Sequence, residues 1–198
     1  MILHPRHFFE RRILMHYLHK VLVYIPDAVP DRDGYEQDEL IEAIRNHAEN
    51  ETESAYGQAY DWRETNCAGR WEGEYPTNVL FASDNTEKFL SELRGVKAEQ
   101  ENELRTCLAQ LEQTVGTDLK RIAEGLMARK SYDEHQNGFN FMTSYYLHCV
   151  ADYLHGDYRC DSYFYNTHDY TASLYPCDLD AVEKTPADWA LVMFDYHN

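Results

Sequence analysis

Residues His19–Pro26 read HKVLVYIP. Val21, Leu22, Val23, Tyr24 and Ile25 follow one another without a polar break, and a proline ends the run, which predicts a strand. Continuous apolarity, in place of alternation, means that both faces of that strand are covered, so it belongs at the centre of a sheet. The last ten residues, WALVMFDYHN, have the same character from Ala190 to His197, and the two segments are expected to pair. A third short strand is expected at Asn78–Ser83. The fold class that follows is α+β: a small sheet formed by N-terminal, middle and C-terminal strands, with a long helical insertion.

Between these strands the periodicity changes. Leu40, Ile41, Ile44 and Ala48 make one apolar stripe, with Asp38, Glu39 and Glu42 opposite, so Tyr35–Asn50 is a helix. Glu49–Ala59 is polar and reads as a loop. Asp84 and Glu87 have the spacing of a capping box, and helical composition runs from there to Lys130. Leu104, Leu108, Leu111, Val115, Leu119, Ile122 and Leu126 repeat at three and four residues, a seam for internal packing or for a homodimer. Phe141–Leu154 is a second helix, with Gly156 as its cap. Asp157–Tyr175 reads as strand and loop, and Pro176–Asp188 as a connector. The organisation expected is a sheet-containing core of residues 19–83 and 157–198, a helical insertion of residues 84–156, and an extension of residues 1–18. Met15 offers an alternative start of translation within that extension.

The chain has 198 residues, enough for one well-cored domain. An apolar fraction of 43 % and an aromatic fraction of 14 % oppose disorder despite a net charge of −17. There is no apolar run of the length needed to span a membrane. Five cysteines, Cys67, Cys107, Cys149, Cys160 and Cys177, are odd in number and lack a C-x-x-C pair. That opposes a zinc ribbon or a disulfide framework and suits a reducing cytoplasm.

The charge is uneven. Residues 31–83 hold four cations against thirteen acids, and residues 131–198 hold two against eleven. Such a field disfavours direct binding of nucleic acid and favours a basic host protein or a nucleic-acid-binding complex as partner. Ten of the sixteen tyrosines lie after residue 131. Phenolic rings between carboxylates suit a protein-binding face, and Asp157, Tyr158, Asp161, Tyr163, Tyr165, Asp169, Asp178 and Asp180 are its candidate contacts.

YDWRETNCAGRWEG, Tyr60–Gly73, predicts a corner in which two tryptophans cap the core and Asp61 and Arg70 bond to each other or to backbone. The pattern of Asp61, Trp62, Gly69, Arg70, Trp71 and Gly73 resembles a block of small phage-encoded proteins. Those proteins also begin on a buried strand and finish on a strand ending Asp-x-His, here Asp195 and His197. The resemblance covers about the first 80 residues and the last ten, and this chain has Ala68-Gly69 where that family has a glycine pair. It implies a phage or mobile-element origin and no particular chemistry.

Two constellations could carry chemistry. Asp195 and His197 share one face of a strand, and with Asp61 and Arg70 they could form a small hydrolase or nuclease pocket. His148, Asp152 and His155 share one helical face and could hold a divalent metal, completed by His168 or Asp169. His4, His7, His16 and His19 are scattered without a clustered carboxylate or thiol. No phosphate-binding glycine loop is present, and no cofactor is implied.

The leading expectation is an acidic phage or mobile-element protein that inhibits a host nucleic-acid-handling defence complex, anti-CRISPR-like, by nucleic-acid mimicry. A His/Asp-dependent hydrolase or nuclease and a structural or oligomeric phage accessory protein are the alternatives.

Overall fold

In the computed structural model the described residues are 16–57, 60–114, 141–158 and 163–197, with isolated positions between 118 and 127. The elements, numbered in chain order, are β1 (His16–Tyr24), α1 (Ile25–Ala28), α2 (Gln37–Tyr56), β2 (Trp62–Glu64) and β3 (Val79–Phe81). There follow α3 (Thr86–Thr114), α4 (Phe141–His155), β4 (Phe164–Asn166), α5 (Pro176–Lys184) and β5 (Trp189–His197). The expected α+β class holds.

β1 and β5 are the two long strands, and they pair antiparallel over their whole length, from His16 opposite His197 to Tyr24 opposite Trp189. β4 adds to the far side of β1 in parallel, and β2 and β3 share the far side of β5. Both central strands are thus flanked on both sides, as their unbroken apolar runs require.

Alternate residues of these strands feed two cores. Leu22, Phe164, Leu191 and Met193 face Phe89, Leu90, Leu93 and Val96 of α3 and Val182 of α5. Val21, Val23, Ala190, Val192 and Phe194 face Ile44 and Ala48 of α2. Helices therefore cover both faces, giving three layers. The first turns of α3 are part of this core, so the segment expected as an insertion is one of the layers. Its later turns leave the sheet and pack Leu111 on Tyr146, Leu147 and Val150 of α4. Leu108 stays exposed, and the rest of the predicted seam beyond Leu111 lies outside the described residues, as do residues 1–15.

Several boundaries differ from the sequence expectation. β1 begins at His16, so residues 16–18 belong to the sheet and not to an extension. α2 continues to Tyr56 through the stretch read as loop, because Thr52 and Tyr56 extend the buried stripe by whole turns. Pro176–Lys184 is helical rather than a connector, with proline in its first turn and the Asp178 carboxylate accepting the Tyr175 N–H at 2.7 Å. At the start of α3 the cap is Asn85, whose Oδ1 accepts the Lys88 N–H at 3.0 Å. Among the described residues no helix is long and apolar enough to cross a membrane.

Candidate functional site

The antiparallel register brings the N-terminal end of β1 beside the C-terminal end of β5. Residues 16, 18, 195 and 197 project from one face, the face that α3 covers further along. At this end the sheet runs past the first turns of the helix, and its polar residues take the place of the leucines. His16 Nδ1 lies 2.8 Å from Asp195 Oδ1, and His197 Nδ1 lies 2.6 Å from Asp61 Oδ1. The two imidazole rings are 5.3 Å apart, edge to face.

An ionised carboxylate can only accept, so in each bond Nδ1 carries the hydrogen, and Nε2 is the ring nitrogen left for proton transfer. Asp195 is 1 % exposed. Its second oxygen accepts the Arg70 backbone N–H at 3.0 Å, so both oxygens are engaged and the buried charge is compensated. The Gly69–Trp71 turn wraps this carboxylate closely. Gly69 has φ of +54°, and a Cβ there would overlap the Asp195 side chain. The second pair is on the rim: Asp61 is exposed, and its backbone N–H donates to the His197 carbonyl at 2.9 Å.

Trp62, opposite His197 in the ladder, stands edge to face with His16 at 5.9 Å and is 47 % exposed. Beside the pair a groove of about 440 Å³ is lined by His16, Leu18, Lys20, Trp71, Glu92 and Glu99, among others. In its wall Lys20 Nζ bonds Glu92 at 2.8 Å. Burial pushes the Glu92 carboxyl up, but the bonds from Lys20 and the Tyr75 hydroxyl outweigh it, and its pKa is held below the usual carboxylate value.

Three of the four residues expected for a hydrolase pocket, Asp61, Asp195 and His197, therefore meet, and Arg70 joins through its backbone. The pairing is not the one expected. Asp61 bonds His197 instead of Arg70, because β2 enters the sheet beside β5. His16, one of the scattered histidines of the sequence, completes the pair of imidazoles. The signal for it was the alternation His16, Leu18, Lys20, Leu22, which extends β1 to the length of β5.

The aromatic-acidic face is a different matter. Tyr158 and Tyr165 are buried, and so is Asp178. Tyr163 packs against Tyr17 at 4.4 Å and Tyr196 at 4.7 Å, in a cluster of rings that includes Tyr56 and His19. Burial, then the neighbouring Tyr163 hydroxyl, drives the Tyr196 pKa well above the ordinary phenol value. Tyr165 serves the interior because the end of α2 covers β4, with Tyr56 packed on its ring at 5.7 Å, and Tyr158 packs on Tyr153 of α4. The Tyr56 hydroxyl donates to the Phe164 carbonyl at 2.7 Å. Asp178 accepts from Tyr175 and Asn166 inside the protein. Of the eight expected contacts, Asp157, Asp169 and Asp180 are exposed, and Asp161 lies outside the described residues.

On α4, His148 and Asp152 form an exposed pair at 3.4 Å, and His155 is exposed. His168, suggested as a further ligand, bonds Asp27 at 2.6 Å. Among the described residues no group of three or more His, Cys, Asp or Glu side chains is arranged to hold a metal ion.

No family model, no curated protein and no solved structure matches this chain.

Proposed function

We propose that the end of the sheet carrying His16 and His197 is an acid–base site, and that the protein is a small hydrolase. The carrying observation is the pair of imidazoles 5.3 Å apart, each bonded through Nδ1 to its own carboxylate. Fixing Nδ1–H leaves Nε2 to take or give a proton, and a carboxylate behind the ring supports the imidazolium when it forms. With one ring neutral and its neighbour protonated, the pair supplies a base and an acid together. Asp195 and Asp61 are positioning residues, and the neighbouring groove and exposed Trp62 offer a place for substrate. Assays of the purified protein on carboxylic and phosphoric ester panels test this reading. His16→Gln and His197→Gln should each lower a hydrolytic rate by roughly 100-fold or more. Turnover that survives both substitutions would exclude it.

A second reading is supported by the acids of α2. Glu36, Asp38, Glu39 and Glu42 are exposed, and a shallow groove of about 490 Å³ is lined by Asp31, Tyr35, Glu39 and Glu42. Together with the exposed Asp157, Asp169 and Asp180, these acids suit an acidic protein of phage or mobile-element origin. It would act in the cytoplasm of a host cell by occupying the nucleic-acid groove of a basic defence complex, as anti-CRISPR inhibitors do. Partner capture from host lysate should then fall steeply between low and high salt. Capture indifferent to salt would rule out mimicry.

A further inference from the structure

We propose that the substrates are short ribonucleoside phosphodiesters, cleaved by attack of their own 2′-hydroxyl. This rests on the acid–base reading above and adds the substrate class.

The first observation concerns the nucleophile. Among the described residues the hydrogen bonds of His16 and His197 go to carboxylates, and Ser91, which lines the same groove as His16, bonds neither imidazole. Two positioned bases without a protein nucleophile suit a substrate that brings its own. A ribose 2′-hydroxyl beside a 3′-phosphodiester does so, and intramolecular attack needs no further approach of reactants. One Nε2 takes the 2′-hydroxyl proton as the bond from that oxygen to phosphorus forms. The bond from phosphorus to the 5′-oxygen breaks, and that oxygen receives the proton of the second, protonated imidazole. The products are a 2′,3′-cyclic phosphate and a 5′-hydroxyl. Addition of water with the two rings in exchanged roles then gives a 3′-phosphate.

The second observation concerns recognition. Trp62 stands beside His16 with half its surface exposed, a flat apolar face on which a base can stack. Arg70, exposed and tied to Asp195 through its backbone, is part of the turn that holds the buried carboxylate, and its guanidinium suits a phosphate oxygen. A net charge of −17 opposes a long polyanion. A substrate with one or two phosphates meets this site with little of that penalty.

The experiment incubates the full chain with uridylyl-adenosine, its 2′-deoxy analogue, and p-nitrophenyl esters of phosphoric and carboxylic acids. Cleavage of the ribose compound to the cyclic phosphate is expected, with the deoxy analogue inert. His16→Gln and His197→Gln, purified in parallel to control for contaminating nucleases, should each be slower by roughly 100-fold or more. Trp62→Ala, an exposed position, should keep the melting temperature and raise KM more than it lowers kcat. Equal cleavage of the deoxy analogue overturns the 2′-hydroxyl mechanism while leaving the acid–base reading intact. So does histidine-dependent turnover of the p-nitrophenyl esters with both dinucleotides untouched. Inertness toward every compound overturns both.

Discussion

Asp195 holds His16 at 2.8 Å across 179 residues of sequence, and it does so from inside the protein. The bond joins the first described strand to the last, at the point where their pairing ends. It is sandwiched between the His16 ring and the turn at Gly69, so the carboxylate is both a structural tie and the support of an imidazole. That double role makes its removal informative.

Asp195→Ala should destabilise the protein by about 1–3 kcal/mol, because the Arg70 N–H and His16 Nδ1–H lose their acceptor within the structure. Asp195→Asn keeps an acceptor and should cost less. Chemical denaturation of the two variants measures the difference, and equal stabilities of wild type and Asp195→Ala would contradict the assigned bonding.

Gly69→Ala should be poorly tolerated. The backbone there is left-handed at φ of +54°, and the added methyl would meet the Asp195 side chain. A loss of roughly 1–2 kcal/mol is expected from the backbone conformation alone. Gly73, with open space where its Cβ would lie, is the control: Gly73→Ala should leave the melting temperature nearly unchanged.

Asp178 predicts a pH dependence. Burial, and then the neighbouring Asp169 carboxylate, push its pKa up to about 6, against bonds from Tyr175 N–H and Asn166 that favour the charged form. A carboxyl whose folded pKa is raised binds its proton more tightly in the native state than in the unfolded chain. Its contribution to stability is complete below the ordinary aspartate pKa near 4 and is lost as pH rises through about 6. Urea midpoints should therefore decline between pH 4 and 7 as Asp178 loses its proton, and Asp178→Asn should flatten that slope. An unchanged slope in the variant would assign the titration elsewhere.

Leu93 on α3 is fully buried against the sheet. Leu93→Ala should cost about 2–5 kcal/mol. Leu108→Ala, on the exposed side of the same helix, should change stability by less than about 1 kcal/mol. If Leu108→Ala were the more damaging, a partner would have to cover that face.

The central strands were legible because uninterrupted Val, Leu, Ile and Tyr runs leave little choice but a covered sheet interior. Leu40, Ile41, Ile44 and Ala48 likewise revealed the face of α2. The site was partly legible: Asp195 and His197 had to share a face, since side chains alternate along a strand. That Asp61 would bond His197, and that His16 would lie opposite His197, were not readable, because both depend on strand pairing between distant segments.

Local pattern determined which segments are strands and helices and which sides of them are apolar, for periodicity is a property of neighbours in the chain. Only the tertiary structure decided who meets whom. It sent Tyr158 and Tyr165 inward, since a run of tyrosines carries no mark of which side will be covered. It also set two histidines from the two ends of the fold side by side, because antiparallel register, a long-range hydrogen-bond pattern, fixes positions that no local run of residues encodes.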